Sequence, residues 1–177
     1  MVLNQSFFFI GDNLIEYVKQ WPHVGHIVKN SLEDAADIAS RRNSLCDQIN
    51  NLCYFGKLVH VTKQSLMFLF CTNFYGSELW DLGIPSVQDF CIAWRKELRR
   101  VWGLPHTTHC DQLPVLDNTI PILDELHHRT ANFINNCLSS TCRVVQAIAR
   151  HGVYFGLMKS PIGRNVLQCC SRYGVRS

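Results

Sequence analysis

The sequence predicts a mainly α fold, in which a short N-terminal β hairpin or strand element precedes a helical bundle of about five helices. Two observations predict this. Up to residue 28 the apolar residues come in short β-prone runs separated by glycine, aspartate and asparagine. From Ser31 onward they recur every three to four residues, the spacing that puts side chains on one face of a helix. The 177 residues are 47% apolar and 18% charged, which supplies a core and excludes the disordered class.

At the N-terminus, Ser6–Ile10 and Leu14–Val18 flank Gly11-Asp12-Asn13, turn formers between two β-prone runs. Trp21–Val28 reads as a third short strand with Gly25 inside it; a glycine there weakens pairing and marks close approach of another backbone or a ligand. Ser31-Leu-Glu-Asp34 has the form of a capping box, and Ile38, Leu45, Ile49 and Leu52 then share a face up to Gly56. A second helix is expected from Val61 to about Phe74. The clearest helix runs from Val87 to Trp102, with Ser86 as N-cap and Gly103 and Pro105 as its stop. Its stripe is Val87, Phe90, Cys91, Trp94, Leu98, Val101 and Trp102. Further helices are expected from Thr119 to about Leu138, and from near Thr141 to Gly152 with Val144, Val145 and Ile148 as apolar positions. The stretch from Phe155 is rich in glycine, serine and arginine and reads as a loosely packed tail. The expected division is a β element over 1–30, a helical domain over 31–155 and a basic tail over 156–177.

The longest apolar runs, such as Leu66–Cys71, fall far short of the roughly 20 residues needed to span a bilayer. No basic n-region precedes the first apolar stretch, because the first cation is Lys19, and a secretory signal is not expected. Nine cysteines, an odd number with no C-x-x-C pair, point to reduced thiols inside a cell. The net charge of +3 hides an asymmetry: residues 1–125 carry −4, and residues 126–177 hold seven cations and no acid. Such a segment suits a polyanion, nucleic acid being the commonest. Scattered solvated arginines are the plainer account.

Arg95, Lys96, Arg99 and Arg100 form two i,i+4 pairs opposite the apolar stripe. They are the candidate phosphate contacts, although cations near a helix C-terminus are also favoured by the helix dipole alone. His106, His109, Cys110, His127 and His128 match no known zinc spacing, and no metal or cofactor is expected. No phosphate-binding loop or nucleophile signature is present, and the sequence contains no Asp-Asp dipeptide, so the clustered carboxylates with which polymerases hold two metal ions are not apparent.

Several segments together resemble one family. Trp21-Pro-His-Val-Gly-His-Ile-Val28 is similar to the "HLGHII" segment of LINE-type, non-LTR retrotransposon reverse transcriptases. Asp37-Ile-Ala-Ser-Arg-Arg42 and Gln48–Leu58 resemble the next stretch of those enzymes. Phe74-Tyr-Gly-Ser-Glu-Leu-Trp-Asp-Leu82 resembles the family's "YGS-x-LWDL", Ala93–His109 its "AWRK-x-LRR" stretch, and Ser160-Pro-Ile-Gly-Arg-Asn165 a later one. The segments stand in the family's order along nearly the whole chain, and the jockey-like branch fits best. Val24 replaces the usual leucine, and Asn50–Cys53 is one residue shorter than the family pattern. In a helix that deletion turns later residues by about 100°, which would carry Cys53, Tyr54 and Phe55 off the apolar stripe.

The resemblance implies the end of the palm followed by the thumb, with Val24 and Gly25 at the primer grip and the Arg95-to-Arg100 face available to nucleic acid. It implies a fragment of an RNA-directed DNA polymerase without the palm aspartates, inactive alone and retaining at most template–primer binding. RNA or an RNA–DNA hybrid is the expected partner; neither a membrane nor a small-molecule substrate is expected. The alternatives are a stand-alone helical RNA- or DNA-binding module and an inert retroelement remnant.

Overall fold

The computed structural model describes residues 8–23, 25–55, 74–156 and 159–173. The fold is mainly α with an N-terminal β element. The helix expected from Val61 to about Phe74 lies outside the described residues except for Phe74, which is not helical, and the helix stop at Gly56 also lies outside them.

Two antiparallel hairpins open the chain. Phe8–Ile10 (β1) pairs with Asn13–Ile15 (β2), Phe9 facing Leu14 across a turn at Gly11, whose φ is +60°. Gln20–His23 (β3) pairs with His26–Lys29 (β4), with Trp21 opposite Val28 and His23 opposite His26. The expected third strand is therefore two strands, and Gly25 belongs to their connection. Its φ of +78° is readily reached by glycine and rarely by other residues, which folds the run back on itself.

Helix α1 spans Ala35–Phe55. The expected capping box does not form: Leu32 takes φ +56° and the Ser31 hydroxyl donates to Glu33, so helical geometry begins only after Asp34. The stripe is as expected, with Ile38, Leu45, Ile49 and Leu52 all buried. The helix continues through the shortened segment, leaving Cys53 against the core and Tyr54 exposed.

A 3-10 turn at Ser77–Leu79 leads to helix α2, Pro85–Trp102. Its N-cap is Ile84 rather than Ser86, because Pro85 fits the first helical position, where no N–H is needed. Gly103 at φ +65° closes it, with Gly103 N–H donating to Arg100 and Leu104 N–H to Arg99, a Schellman arrangement. Val87, Phe90, Cys91, Trp94, Leu98 and Val101 are buried. Phe74, Trp80, Phe90 and Trp94 meet edge to face with centroids 5.3–5.5 Å apart, a favoured geometry for aromatic pairs.

A short helix α3, Gln112–Asp117, adds to the expected set. It ends at Asn118 in the left-handed region, and Asp117 accepts the Trp102 indole N–H at 2.9 Å. Helix α4 covers Ile122–Leu138, starting after Pro121 rather than at Thr119. Helix α5 covers Arg143–Tyr154. It buries only Ala149 and Gly152, and the apolar positions Val144 and Ile148 are 66% and 63% exposed. Gly152 explains the contact: a Cβ there would lie 3.4 Å from Ile162, so the next helix crosses α5 closely at its smallest residue.

That helix, α6 (Pro161–Tyr173), replaces the expected loose tail. Ser160 caps it by accepting the Gly163 N–H at 3.0 Å, and Pro161 takes the first turn. Asn165 is buried; it accepts the Leu82 N–H at 2.9 Å and donates to the Trp80 carbonyl at 2.7 Å. Arg164 pairs with Asp81 at 2.5 Å. Farther along, Asp124 accepts from Arg172 at 2.5 Å and Tyr173 at 2.7 Å. Burial raises the Asp124 carboxyl, but those two partners outweigh it and hold it below the ordinary range. No helix among the described residues is long and apolar enough to cross a membrane.

Removing the Asn165 amide leaves a buried N–H and a buried carbonyl without partners, each costing about 1–3 kcal/mol. Asn165→Ala is expected to lower unfolding free energy in urea by about 2–5 kcal/mol. A loss within about 0.5 kcal/mol, the usual surface value, would return 161–173 to a loose tail.

Candidate nucleic-acid interface

The β3–β4 connection is held from α1. The Arg41 guanidinium donates to the Gly25 carbonyl. Asp37, 1% exposed, accepts the Ile27 amide N–H at 2.9 Å through one oxygen and the Trp80 indole N–H at 2.8 Å through the other. His26 Nδ1 lies 3.0 Å from the second oxygen without the alignment of a hydrogen bond. Asp34 accepts the Asp81 amide at 2.8 Å. Burial pushes the Asp34 carboxyl up, against the opposing effects of that amide and of His26. The hairpin, α1 and the 74–82 segment thus share one polar junction. Of the two expected grip residues, Gly25 sits at this junction and Val24 lies outside the described residues.

The four cations of α2 do not act as one face. Arg99 gives its guanidinium to the Thr108 carbonyl at 2.7 and 3.1 Å and to the Arg95 carbonyl at 3.2 Å, which clamps the loop after the helix. Arg100 pairs with Glu97 at 2.6 Å and donates to Asn50 at 2.9 Å. The Arg95 and Lys96 side chains make no hydrogen bond or ion pair within the described residues. Arg41 and Asn50 are nine residues apart on α1, about 13 Å along its axis. The Gly25 turn and Arg100 therefore meet α1 at well-separated points.

A groove of about 740 Å³ opens instead beside the second hairpin. Its walls are β3–β4 through His23, His26 and Val28, the segment at Tyr75–Leu79, and one face of α4. On that face His128, Asn132 and Asn136 stand at i, i+4 and i+8, all exposed, so they form a straight row of amide and imidazole groups. Arg129 beside them pairs with Glu125 at 2.6 Å and lies over the Phe74 ring at 5.4 Å, which pins α4 to the core. Tyr75 offers a half-exposed ring at the rim. With Glu78 and Glu125 lining it beside the single cation Arg129, the groove carries a net charge of −1 when its histidines are neutral. It can donate hydrogen bonds to acceptors such as base edges and sugar oxygens. The i,i+4,i+8 polar row is visible in the sequence, but the hairpin opposite it is not.

The histidines and cysteine weighed as metal ligands are dispersed. His109 approaches Asp111 at 3.3 Å, and His127 is buried with Nδ1 2.7 Å from the Leu123 carbonyl. His128 faces the groove, and the exposed Cys110 meets Arg99. Among the described residues no group of three His, Cys, Asp or Glu is placed to hold a metal ion.

The clamp on Thr108 makes Arg99 structural. Arg99→Gln is expected to cost about 1.5–3 kcal/mol in a denaturant titration, the range for hydrogen bonds to a charged group, whereas Lys96→Gln should fall within about 0.5 kcal/mol. Equal, small effects would remove that assignment. No family model, no curated protein and no solved structure matches the chain.

Proposed function

We propose that this chain is the end-of-palm and thumb portion of a LINE-type reverse transcriptase of the jockey-like branch, and that its remaining activity is binding of an RNA–DNA template–primer. One observation carries this: four of the six segments that bear the resemblance meet at one junction. His26 and Ile27 of the first, Asp37 of the second, Trp80-Asp81-Leu82 of the third and Arg164-Asn165 of the last are joined by hydrogen bonds, an ion pair and the His26–Asp37 approach. Residues that a family holds in common are expected to be those that depend on one another physically.

The groove beside β3–β4 is where the nucleic acid would lie. Its row of His128, Asn132 and Asn136 offers donors to the acceptor-lined minor groove of a duplex and to the 2′-hydroxyls of an RNA strand. On α2, Arg95 and Lys96 keep the role of backbone contacts, while Arg99 and Arg100 serve the fold. These 177 residues hold no Asp-Asp dipeptide, and among the described residues no group of three His, Cys, Asp or Glu is placed to hold a metal ion; on this reading, DNA synthesis needs a carboxylate-bearing palm supplied in trans.

The exposed apolar side chains of the first hairpin, Phe9, Ile10, Leu14 and Ile15, support the view that the rest of a palm covers this surface. The same exposure favours a second reading, an inert remnant prone to association.

Fluorescence anisotropy of a labelled RNA–DNA primer–template separates the readings. Binding is expected to fall with salt at a log–log slope of about −0.9 per phosphate contact, using B-DNA as guide. Asn132→Ala and Asn136→Ala should each weaken it by up to about tenfold, the loss of one hydrogen bond. Absence of binding by a folded chain would leave the inert remnant, and nucleotide incorporation on primed RNA with magnesium would overturn the proposal.

A further inference from the structure

Six of the seven cations of residues 126–177 lie within the described residues, and the fold sorts these six into two kinds. Arg172 pairs with Asp124 and joins α6 to α4, Arg164 pairs with Asp81 and joins α6 to the 74–82 segment, and Arg129 pairs with Glu125 on its own helix. Arg143, Arg150 and Lys159 are exposed and have no hydrogen-bond or ion-pair partner for their side chains among the described residues. All three lie on α5 or just beyond its end, and no acid occurs in this part of the chain.

The free cations share α5 with exposed rings. Arg143, Arg150 and Tyr154 fall at i, i+7 and i+11, which at 100° per residue is one narrow strip. Val144, Ile148, His151 and Phe155 form a second strip, centred about 110° round the helix by the same geometry. Tyr154 is 67% and Phe155 78% exposed, and the His151 and Phe155 rings are stacked with centroids 5.5 Å apart and an interplanar angle of 30°. A cationic strip thus runs beside a strip ending in stacked rings, on a helix that spends only Ala149 and Gly152 on the core.

We infer that the exposed face of α5 is a binding platform for single-stranded nucleic acid, with the phosphates along Arg143 and Arg150 and unpaired bases stacked on Tyr154 and Phe155. Charge complementarity selects a polyanion. The rings select single strands, since base faces are available for stacking only outside a duplex. Two aliphatic side chains in the apolar strip, one of them valine, offer little for insertion into a lipid surface. This goes beyond duplex binding in the groove and uses none of the groove residues.

The test measures the whole chain binding labelled oligo(U), and in parallel an RNA–DNA hybrid of equal length. Tyr154→Ala and Phe155→Ala alter exposed side chains, and unchanged thermal melts confirm that each variant folds. Each should weaken oligo(U) binding by about fivefold to hundredfold, the usual loss for one base–aromatic stack, and leave hybrid binding within about twofold. Arg143→Gln and Arg150→Gln should each reduce the oligo(U) salt slope by about 0.7. The inference is overturned if the ring variants bind oligo(U) as the parent does, or lose hybrid binding equally. It is also overturned if they lose binding to phosphatidylserine vesicles and keep oligo(U). Loss of hybrid binding alone, in the groove variants, bears on the proposed function and not on this site.

Discussion

A buried carboxylate must have its acceptor sites filled, because desolvation otherwise costs several kcal/mol. Asp37 meets this demand with donors from two other parts of the chain, the Ile27 amide of β4 and the Trp80 indole. Its own helix supplies neither. The consequence is geometric: α1 cannot pack without the second hairpin on one side and the 74–82 segment on the other. Trp80 and Leu82 extend the demand to Asn165, more than eighty residues away, and so to α6. The apolar core fills the space among these elements, but the hydrogen bonds decide their relative placement. Apolar contacts tolerate small shifts; a two-donor carboxylate in a dry site does not.

How much of this is legible in the sequence depends on how local its cause is. Helix α2 is legible in its stripe and its stop, since seven residues at helical spacing and Gly103 at the end are local signals; its start reads two residues late because Pro85 occupies the first turn rather than preceding it. The α1 stripe is equally plain. The second hairpin reads wrongly as one strand because a glycine inside an apolar run is compatible with both a weakened strand and a turn, and only φ at Gly25 separates them. Helix α6 escapes a reading by apolar spacing because its composition is polar and small, though Ser160-Pro161 already carries a cap and a first-turn proline. In α5 the periodicity of Val144 and Ile148 correctly places them together. Periodicity reports which residues share a face, not what that face meets, and here it meets solvent.

The charged residues show the same limit. Spacing alone puts Arg95, Lys96, Arg99 and Arg100 on one helix surface. It cannot reveal that the Thr108 carbonyl would be waiting for Arg99, or Asn50 and Glu97 for Arg100. Once the structurally engaged cations are set aside, Arg95 and Lys96 on α2 and the Arg143–Arg150 strip on α5 remain, beside a groove of hydrogen-bond donors next to the hairpin. We propose a duplex for the groove and α2, and a single strand for the α5 strip.

The structure makes Asp37 the group that couples the hairpin, α1 and the 74–82 segment through paired donors. A double-mutant cycle on unfolding free energy, with Asp37→Asn, Trp80→Phe and the combination, tests this most directly because the packing effects of each change cancel. The expected coupling is about 1–3 kcal/mol, in the range for residues within one hydrogen-bond network. Effects that add to within about 0.5 kcal/mol would mean that Asp37 and Trp80 act independently, and would contradict it.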